Sequence, residues 1–284
     1  MPFILAHPAA VVPLVRLLSL ARLSLPLSAL VIGSMVPDLP NFIYVTHLIR
    51  LSSGKHFGHT FPGTFLFCVP VGMFSLWLFH IVLKPPLLSL LPVNQQKRLA
   101  PIAAKFRFGP SRQFLLIIVA LLLGAFTHIV WDSFTHAHGW LVQQFSILHA
   151  PIMQTARGPI YVFNLLQRGS TLVGGALLIC WCWQWLRQTP AQPVRLPVPV
   201  PMSAPRKPNA AIFMAVVALV LAGIYAYWKS PVFSGLGWHQ PFARRMIITG
   251  VAVASVELLI FSLGWHWSAF KNKAIGAISH QITA

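Results

Sequence analysis

The sequence predicts an all-α membrane protein, a polytopic bundle of five to six transmembrane helices. Of its 284 residues, 56% are hydrophobic and only 8% are charged. A soluble domain carries about 25% charged residues, so this chain has too few to cover a water-exposed surface. Five apolar runs also approach or exceed the roughly 20 residues that cross the hydrocarbon core of a bilayer. These runs are 61–83, 113–133, 169–187, 210–228 and 246–267.

The N-terminal region contains two shorter apolar segments, about 8–21 and 26–46, with a break at Arg22-Leu23-Ser24-Leu25-Pro26. Each segment is marginal as a full span. Either the second segment crosses the membrane and makes a sixth span, or the two segments form a re-entrant hairpin that returns to its starting side. His7 distinguishes the two alternatives, because only the hairpin brings it back beside Asp38.

The basic residues predict the orientation and the domain organisation. The formal net charge is +18, but Lys and Arg cluster between the apolar runs. This placement favours the lipid bilayer over nucleic acid as their partner. The connections 84–112 and 188–209 and the C-terminus carry more of these charges than the opposite connections, which predicts that they are cytoplasmic. The proline-rich stretch 188–209 is typical of a linker between a domain at 1–187 and two C-terminal helices with a short tail at 210–284.

The chain has three acidic residues, Asp38, Asp132 and Glu257, and all three lie within or at the ends of apolar segments. Ionisable groups are costly in such segments and mark candidate functional sites. The alternative is that each carboxylate pairs with a nearby arginine and stabilises the packing of the helices.

Asp132 belongs to a polar series with helical spacing. If the helix persists, His128, Asp132 and His136 lie on one face at successive i, i+4 and i+8 positions. Gly139 is then expected to end the helix. A His–Asp pair one turn apart presents a nitrogen and an oxygen to one ion, which suits Zn²⁺ or a similar divalent cation. The alternative is a hydrogen-bonded structural pair near a helix end.

Three segments that are distant in sequence are predicted to bring polar residues to one membrane face. The segment His128–His138 ends its span on the non-cytoplasmic side, and His59 opens the preceding span from that same side. Asp38 lies between two prolines, where a helix is expected to break. The residues expected at this level are Asp38, His59, His128 and Asp132, with His7 added if the N-terminal segments form a hairpin.

Several motifs together support a family resemblance. They are Met1-Pro2-Phe3, Ala6-His7-Pro8-Ala9-Ala10, Gly33-Ser34-Met35, Pro37-Asp38, His59-Thr60, His128, Trp131-Asp132-Ser133-Phe134-Thr135-His136, Gly139-Trp140-Leu141-Val142, Leu166-Gln167 and Gly169-Ser170. In these motifs the chain resembles an uncharacterised family of bacterial integral membrane proteins, a domain of unknown function, over most of residues 1–190. More distantly, it is similar to the membrane-bound metal-dependent hydrolases grouped with zinc-dependent phospholipase C.

The distant resemblance has implications for the site. It favours the re-entrant hairpin, and one departure is that Phe57-Gly58 stands where those hydrolases have a basic His-Arg-Gly element. The residues that it implies as ligands of one or more metals are His7, Asp38, His59, His128 and Asp132.

These observations predict a metal-dependent hydrolase of a phosphoester or lipid-linked substrate. A divalent metal, expected to be Zn²⁺, would activate a water molecule as the nucleophile. Asp38 or Asp132 is the candidate general base. His136 or His138 is the candidate proton donor to the leaving group. We expect the protein in the bacterial inner membrane, with the site near the periplasmic face and the C-terminus in the cytoplasm.

The sequence also leaves open further site residues and two alternative functions. Arg157 and Arg168 lie on the predicted side of the site and are candidates for holding a phosphate. One alternative function is a transport or metal-handling protein, in which Glu257 belongs to an ion path. Another is a structural membrane protein with a stabilising metal site.

Overall fold

The computed structural model describes residues 4–40, 57–155, 158–192, 206–229 and 239–282, and these are almost entirely helical. The α-helices are α1 (Val11–Leu20), α2 (Leu27–Gly33), α3 (Phe61–Leu90), α4 (Val93–Ala103), α5 (Ser111–Thr135), α6 (Trp140–Gln144), α7 (Val162–Gln188), α8 (Arg206–Lys229) and α9 (His239–Ile282). Short 3-10 segments are Ile4–Ala10, Val36–Asp38, Phe57–His59 and Ser146–His149. The predicted all-α class is confirmed. A two-stranded antiparallel hairpin, β1 (Pro151–Thr155) and β2 (Gly158–Tyr161), is an addition that the sequence analysis did not predict.

Five helices of the described chain are long and apolar enough to cross a membrane, as predicted from the five apolar runs. Their bounds are Phe61–Leu90, Ser111–Gln144, Val162–Gln188, Asn209–Lys229 and Arg245–Asn272. The N-terminal segments form the shorter apolar helices Ile4–Leu20 and Leu27–Asp38. Residues 41–46, the end of the second predicted segment, lie outside the described residues.

Packing divides the chain into two compact units. The first falls within residues 1–44, 50–76 and 106–189, and the second within 45–49, 77–105 and 190–284. The second unit therefore includes 77–105 together with the two C-terminal helices. The domain boundary predicted at residue 187 stays a prediction, and most of the proline-rich linker (193–205) lies outside the described residues.

Helix α3 accommodates its internal prolines through π-helical turns at Thr64–Cys68 and Leu78–Leu83. Proline lacks the amide hydrogen for the helical ladder, and its ring opposes the carbonyl four residues earlier. The first π turn ends two residues before Pro70, and the second ends two residues before Pro85. The widened turns allow the helix to continue to Leu90, so the prolines do not end this span.

In the first unit, α2 and α5 approach each other closely through two glycines. A Cβ atom on Gly33 would overlap the backbone of Leu121, and a Cβ atom on Gly124 would overlap the backbone of Leu30. Small residues of this kind let helix backbones come into direct contact within a membrane bundle. Leu30 and Leu121 themselves are almost fully buried in the core that results. The contact aligns the end of α2 with the middle of α5, one turn before His128.

The second unit contains its own small-residue contact between α8 and α9. Ala218, Ala222 and Ala226 follow one face of α8 at four-residue spacing and are buried. Gly250 of α9 faces this stripe, since a Cβ there would lie 3.6 Å from that of Ala222. Glu257 is half-buried in α9, and its Oε2 atom is buried without a hydrogen-bond partner in the described part of the chain.

Substitution of Gly33 tests the close α2–α5 contact. We expect Gly33→Ala to destabilise the protein by about 1–3 kcal/mol, because the added methyl group forces two backbones apart. Gly175→Ala is the matched control, because a Cβ there has no neighbour within 4 Å and the position is also inside a long apolar helix. Thermal unfolding in detergent measures both variants. Equal melting temperatures for the two variants would contradict this account of the contact.

Candidate metal centre

His7 reaches the site because the chain before α1 packs against α7. The 3-10 segment Ile4–Ala10 lies so close to Gly174 that a Cβ there would be 3.3 Å from the carbonyl oxygen of Ala6. The His7 side chain is buried, and its ring stacks on that of His128 at 3.7 Å between centroids. Its Nε2 atom lies 3.8 Å from Oδ2 of Asp38. This is the position of His7 that the sequence analysis expected of a hairpin and not of a sixth span.

His59 is positioned by a capped turn at the start of α3. The Thr60 hydroxyl accepts a hydrogen bond from the Gly63 amide at 3.1 Å and donates one to the Phe57 carbonyl at 2.8 Å. Gly58 lies directly against the preceding segment, since a Cβ there would be 3.0 Å from the carbonyl oxygen of Pro37. Gly58 therefore has a packing role, because it brings His59 close to Asp38.

His128 and Asp132 project from one face of α5, and His136 follows at the end of the helix. The helix ends at Thr135, four residues before the stop predicted at Gly139, and His136 has an extended backbone with φ −119° and ψ 140°. His136 nevertheless turns back toward the site, and its Nδ1 atom lies 3.5 Å from Oδ1 of Asp132. Gly139 serves close packing instead, because a Cβ there would overlap the carbonyl of Ser133.

Four of the five predicted metal ligands form one compact group. One ligand atom from each of Asp38, His59, His128 and Asp132 lies within 4.8 Å of all the others. The Nε2 atom of His59 is 3.5 Å from Asp38, 3.4 Å from Asp132 and 3.3 Å from Nε2 of His128. His128 is 3.3 Å from Asp132 and 3.9 Å from Asp38 by the same Nε2 atom.

These separations match the edges of a metal coordination shell. Tetrahedral ligands at about 2.0–2.1 Å from a zinc ion lie about 3.3 Å from one another. Nitrogen and carboxylate oxygen are also the donors that zinc and related divalent ions accept from proteins. The group could therefore hold a metal ion without rearrangement of the helices that carry it.

A hydrogen bond outside the group orients His128. Its Nδ1 atom lies 2.7 Å from the carbonyl oxygen of Ser34. Because a carbonyl only accepts, Nδ1 must carry the proton, and the lone pair of the neutral ring is on Nε2, which faces the carboxylates. Outer-shell bonds of this kind fix the tautomer and the orientation of metal-binding histidines. Ser34 is the first residue after α2, so the α2–α5 contact supplies this bond.

The electrostatics of the group favour a bound cation. Asp38 and Asp132 are both buried, and two carboxylates close together repel each other unless positive charge is present. Burial disfavours the protonated form of His59. Hydrogen bonds to Asp132 and Asp38 outweigh this effect of burial and raise the pKa of His59 to about 9. Burial lowers the pKa of His7 to about 3, so that ring is neutral and able to act as a ligand.

The remaining candidates of the sequence prediction are His138, Arg157, Arg168 and Glu257. His138 and Arg168 are exposed, Arg157 lies outside the described residues, and Glu257 belongs to the second unit. Sequence reasoning gave no role to Gln167 of α7, whose side-chain nitrogen lies 3.4 Å from Nε2 of His136. The sequence signal for Gln167 was its amide near the start of an otherwise apolar helix. This signal did not single it out, because other polar residues lie next to it and such helices commonly carry them.

The fold and the site define a multi-pass helical membrane protein with a buried histidine and aspartate group that could hold a metal ion. The chain belongs to the family described as "Domain of unknown function (DUF4184)", whose profile matches residues 1–263. The match extends well beyond the 1–190 region in which the family resemblance was recognised from motifs. No curated protein and no solved structure matches the chain.

Loss of a central ligand tests the metal group. We expect His128→Ala and Asp132→Asn to weaken zinc binding by more than about 100-fold, since even outer-shell partners of a metal contribute 10–100-fold. His149→Ala is the matched control, because His149 is an exposed histidine of the same unit. Equilibrium dialysis with zinc, followed by elemental analysis, measures binding. Equal zinc content in all four proteins would show that the group is not the binding site.

Proposed function

We propose that the protein is a membrane-bound metal-dependent hydrolase whose substrate is a phosphoester or a lipid-linked molecule. The observation that carries the proposal is that the buried group has an open edge. The side chains of His59 and His136 are 20% and 29% exposed, whereas those of Asp38 and His128 are 4% and 0% exposed. A catalytic metal site needs access for water and substrate, and this edge could give that access as a fifth position on an ion held by the four residues.

The residues of the group divide the chemical roles between them. Asp38, His59, His128 and Asp132 would hold the metal, which we propose to be Zn²⁺, and the ion would supply Lewis-acid activation of water. Asp132 also has a buried oxygen, Oδ1, without a hydrogen-bond partner in the described chain. This oxygen, or the carboxylate of Asp38, is the candidate general base. His136, at the open edge, is the candidate proton donor to the leaving group.

The surroundings of the open edge favour a lipid or lipid-linked substrate. The segment that follows His136 exposes large apolar side chains, with Trp140 68%, Phe145 52% and Ile147 71% accessible. Aromatic residues of this kind are typical of the boundary between hydrocarbon and headgroups. A phosphoester in a lipid headgroup would lie at that depth, beside the metal group. Arg168 is exposed in the same unit and is a candidate for holding the phosphate.

The orientation that we propose places this edge at the periplasmic face of a bacterial inner membrane. It is supported by the excess of Lys and Arg in the connections 84–112 and 188–209 and in the C-terminal tail. Helix α5 begins after the first of these connections and ends at the metal group. The side that carries the group is therefore opposite to the basic side.

Hydrolysis is tested with two probes, bis-p-nitrophenyl phosphate and vesicles of phosphatidylglycerol. We expect zinc-loaded wild type to turn over at least one of them and Asp38→Asn to reduce the rate by about 100-fold or more, as for removal of a catalytic acid or base. Glu257→Gln is the matched control, because it neutralises the carboxylate of the second unit and should leave the rate unchanged. If the metal-loaded wild type turns over neither probe, a stabilising metal site is the better account. A folded Glu257→Gln protein without activity would favour the ion path.

Reporter fusions after Lys273 test the orientation. We expect green fluorescent protein to be fluorescent there and alkaline phosphatase to be inactive, because the positive-inside rule places this tail in the cytoplasm. Fusions after Gln144, close to the metal group, should behave in the opposite way. Active phosphatase after Lys273 would reverse the proposed orientation.

A further inference from the structure

We propose that the cluster binds a second metal ion, through His7, His136 and the carboxylate oxygens of Asp38 and Asp132 that face away from the first ion. This inference rests on the proposed metal centre and deepens it. It gives His136 the role of a ligand in place of the role of proton donor, and it makes Oδ1 of Asp132 a ligand in place of the general base. The sequence predicted five ligands without dividing them between ions, and His136 was not among them.

The two oxygens of Asp38 face different histidines. Oδ1 lies 3.5 Å from Nε2 of His59 and 3.9 Å from Nε2 of His128. Oδ2 lies 3.8 Å from Nε2 of His7. The carboxylate is therefore placed between the first ligand group and His7.

Asp132 shows the same division. Its Oδ2 lies 3.4 Å from Nε2 of His59 and 3.3 Å from Nε2 of His128. Its Oδ1 lies 3.7 Å from Nε2 of His7 and 3.5 Å from Nδ1 of His136. Both carboxylates thus present one oxygen to His59 and His128 and the other to His7, and only that of Asp132 also faces His136. Bridging carboxylates of this kind are suited to two-metal sites with ions about 3.5–4 Å apart.

A single ion would leave His7 and one oxygen of Asp132 without hydrogen-bond partners in the described chain. Both ring nitrogens of His7 and the Oδ1 atom of Asp132 are buried and have no hydrogen-bond partner in the described chain. Buried polar groups in native proteins are almost always satisfied, so such atoms require an explanation. A second cation between His7, His136 and the two carboxylates satisfies Nε2 of His7 and Oδ1 of Asp132. It also offsets the remaining charge of the two aspartates.

Gln167 supports a ligand role for His136. Without metal, the Nδ1 proton of His136 is donated to the carbonyl oxygen of Asp132 at 3.2 Å, and Nε2 accepts from the Gln167 amide at 3.4 Å. Coordination through Nδ1 requires the proton on Nε2. A 180° rotation of the Gln167 amide places its oxygen where it accepts that proton. Gln167 can therefore satisfy both tautomers, as an outer-shell partner of a metal ligand must.

Metal stoichiometry tests the proposal. We expect wild type dialysed against Zn²⁺ to hold about two ions per chain and His136→Ala to hold about one, because the second ion loses a ligand. His138→Ala is the matched control, since His138 is an exposed histidine two residues away, and it should keep the metal content of wild type. With Mn²⁺, electron paramagnetic resonance should show a spin-coupled pair in wild type and isolated ions in His136→Ala.

The outcomes separate this proposal from the metal centre on which it rests. One ion in both wild type and His136→Ala overturns the second site and leaves the first intact, whereas no metal in wild type overturns both. Loss of all metal in a folded His136→Ala protein shows one shared site and also overturns the proposal. If His136→Ala fails to fold, Gln167→Leu replaces it, with exposed Gln144→Leu as control. Binding of the second ion should then weaken about 10–100-fold with the first unchanged, and unchanged binding of both ions overturns the proposal.

Discussion

The direct contact between the backbones of α2 and α5 is the constraint on which the site depends. Gly33 and Gly124 leave no side-chain volume between the helices, so the chain that follows α2 continues alongside α5. One consequence is the bond between the Ser34 carbonyl and Nδ1 of His128. Another is that Asp38, four residues later, lies beside the same histidine. A wider helix separation would remove the outer-shell bond and one carboxylate together.

The histidines only partly balance the negative charge of the two carboxylates. Protonation of His59 offsets one negative charge in the absence of metal, while the buried His7 ring is neutral. Removal of buried charges from water is costly unless they are paired and fully hydrogen-bonded. A cation bound between these side chains would balance the remaining negative charge, and the buried group could hold one.

The sequence predicted those site residues for which the cost of a polar group in an apolar segment left few alternatives. Carboxylates and histidines in apolar segments are costly, so Asp38, His59, His128 and Asp132 could be singled out without a structure, and helical spacing linked the last two. The glycines that position these residues, Gly33 and Gly58, could not be recognised from the sequence. Each has its effect because it lacks a side chain where the backbone of a residue distant in sequence comes close. The role of Gln167 depends on the tautomer of His136, and the early end of α5 at Thr135 depends on packing around Gly139. None of these contacts is encoded in local spacing.

The candidate ligands come mainly from irregular backbone near one end of α5. His7, Asp38 and His59 come from short 3-10 segments, and His136 lies just beyond the end of α5, whereas only His128 and Asp132 come from regular helix. Irregular backbone is tolerated at membrane depth only where protein buries it or water reaches it, because its amides and carbonyls need partners. Four irregular segments meet at one end of α5, where the side chains of Asp38 and His128 are buried and those of His59 and His136 are partly exposed. In the function proposed above, this edge lies at the boundary of the bilayer, where a headgroup could approach the metal without leaving the membrane.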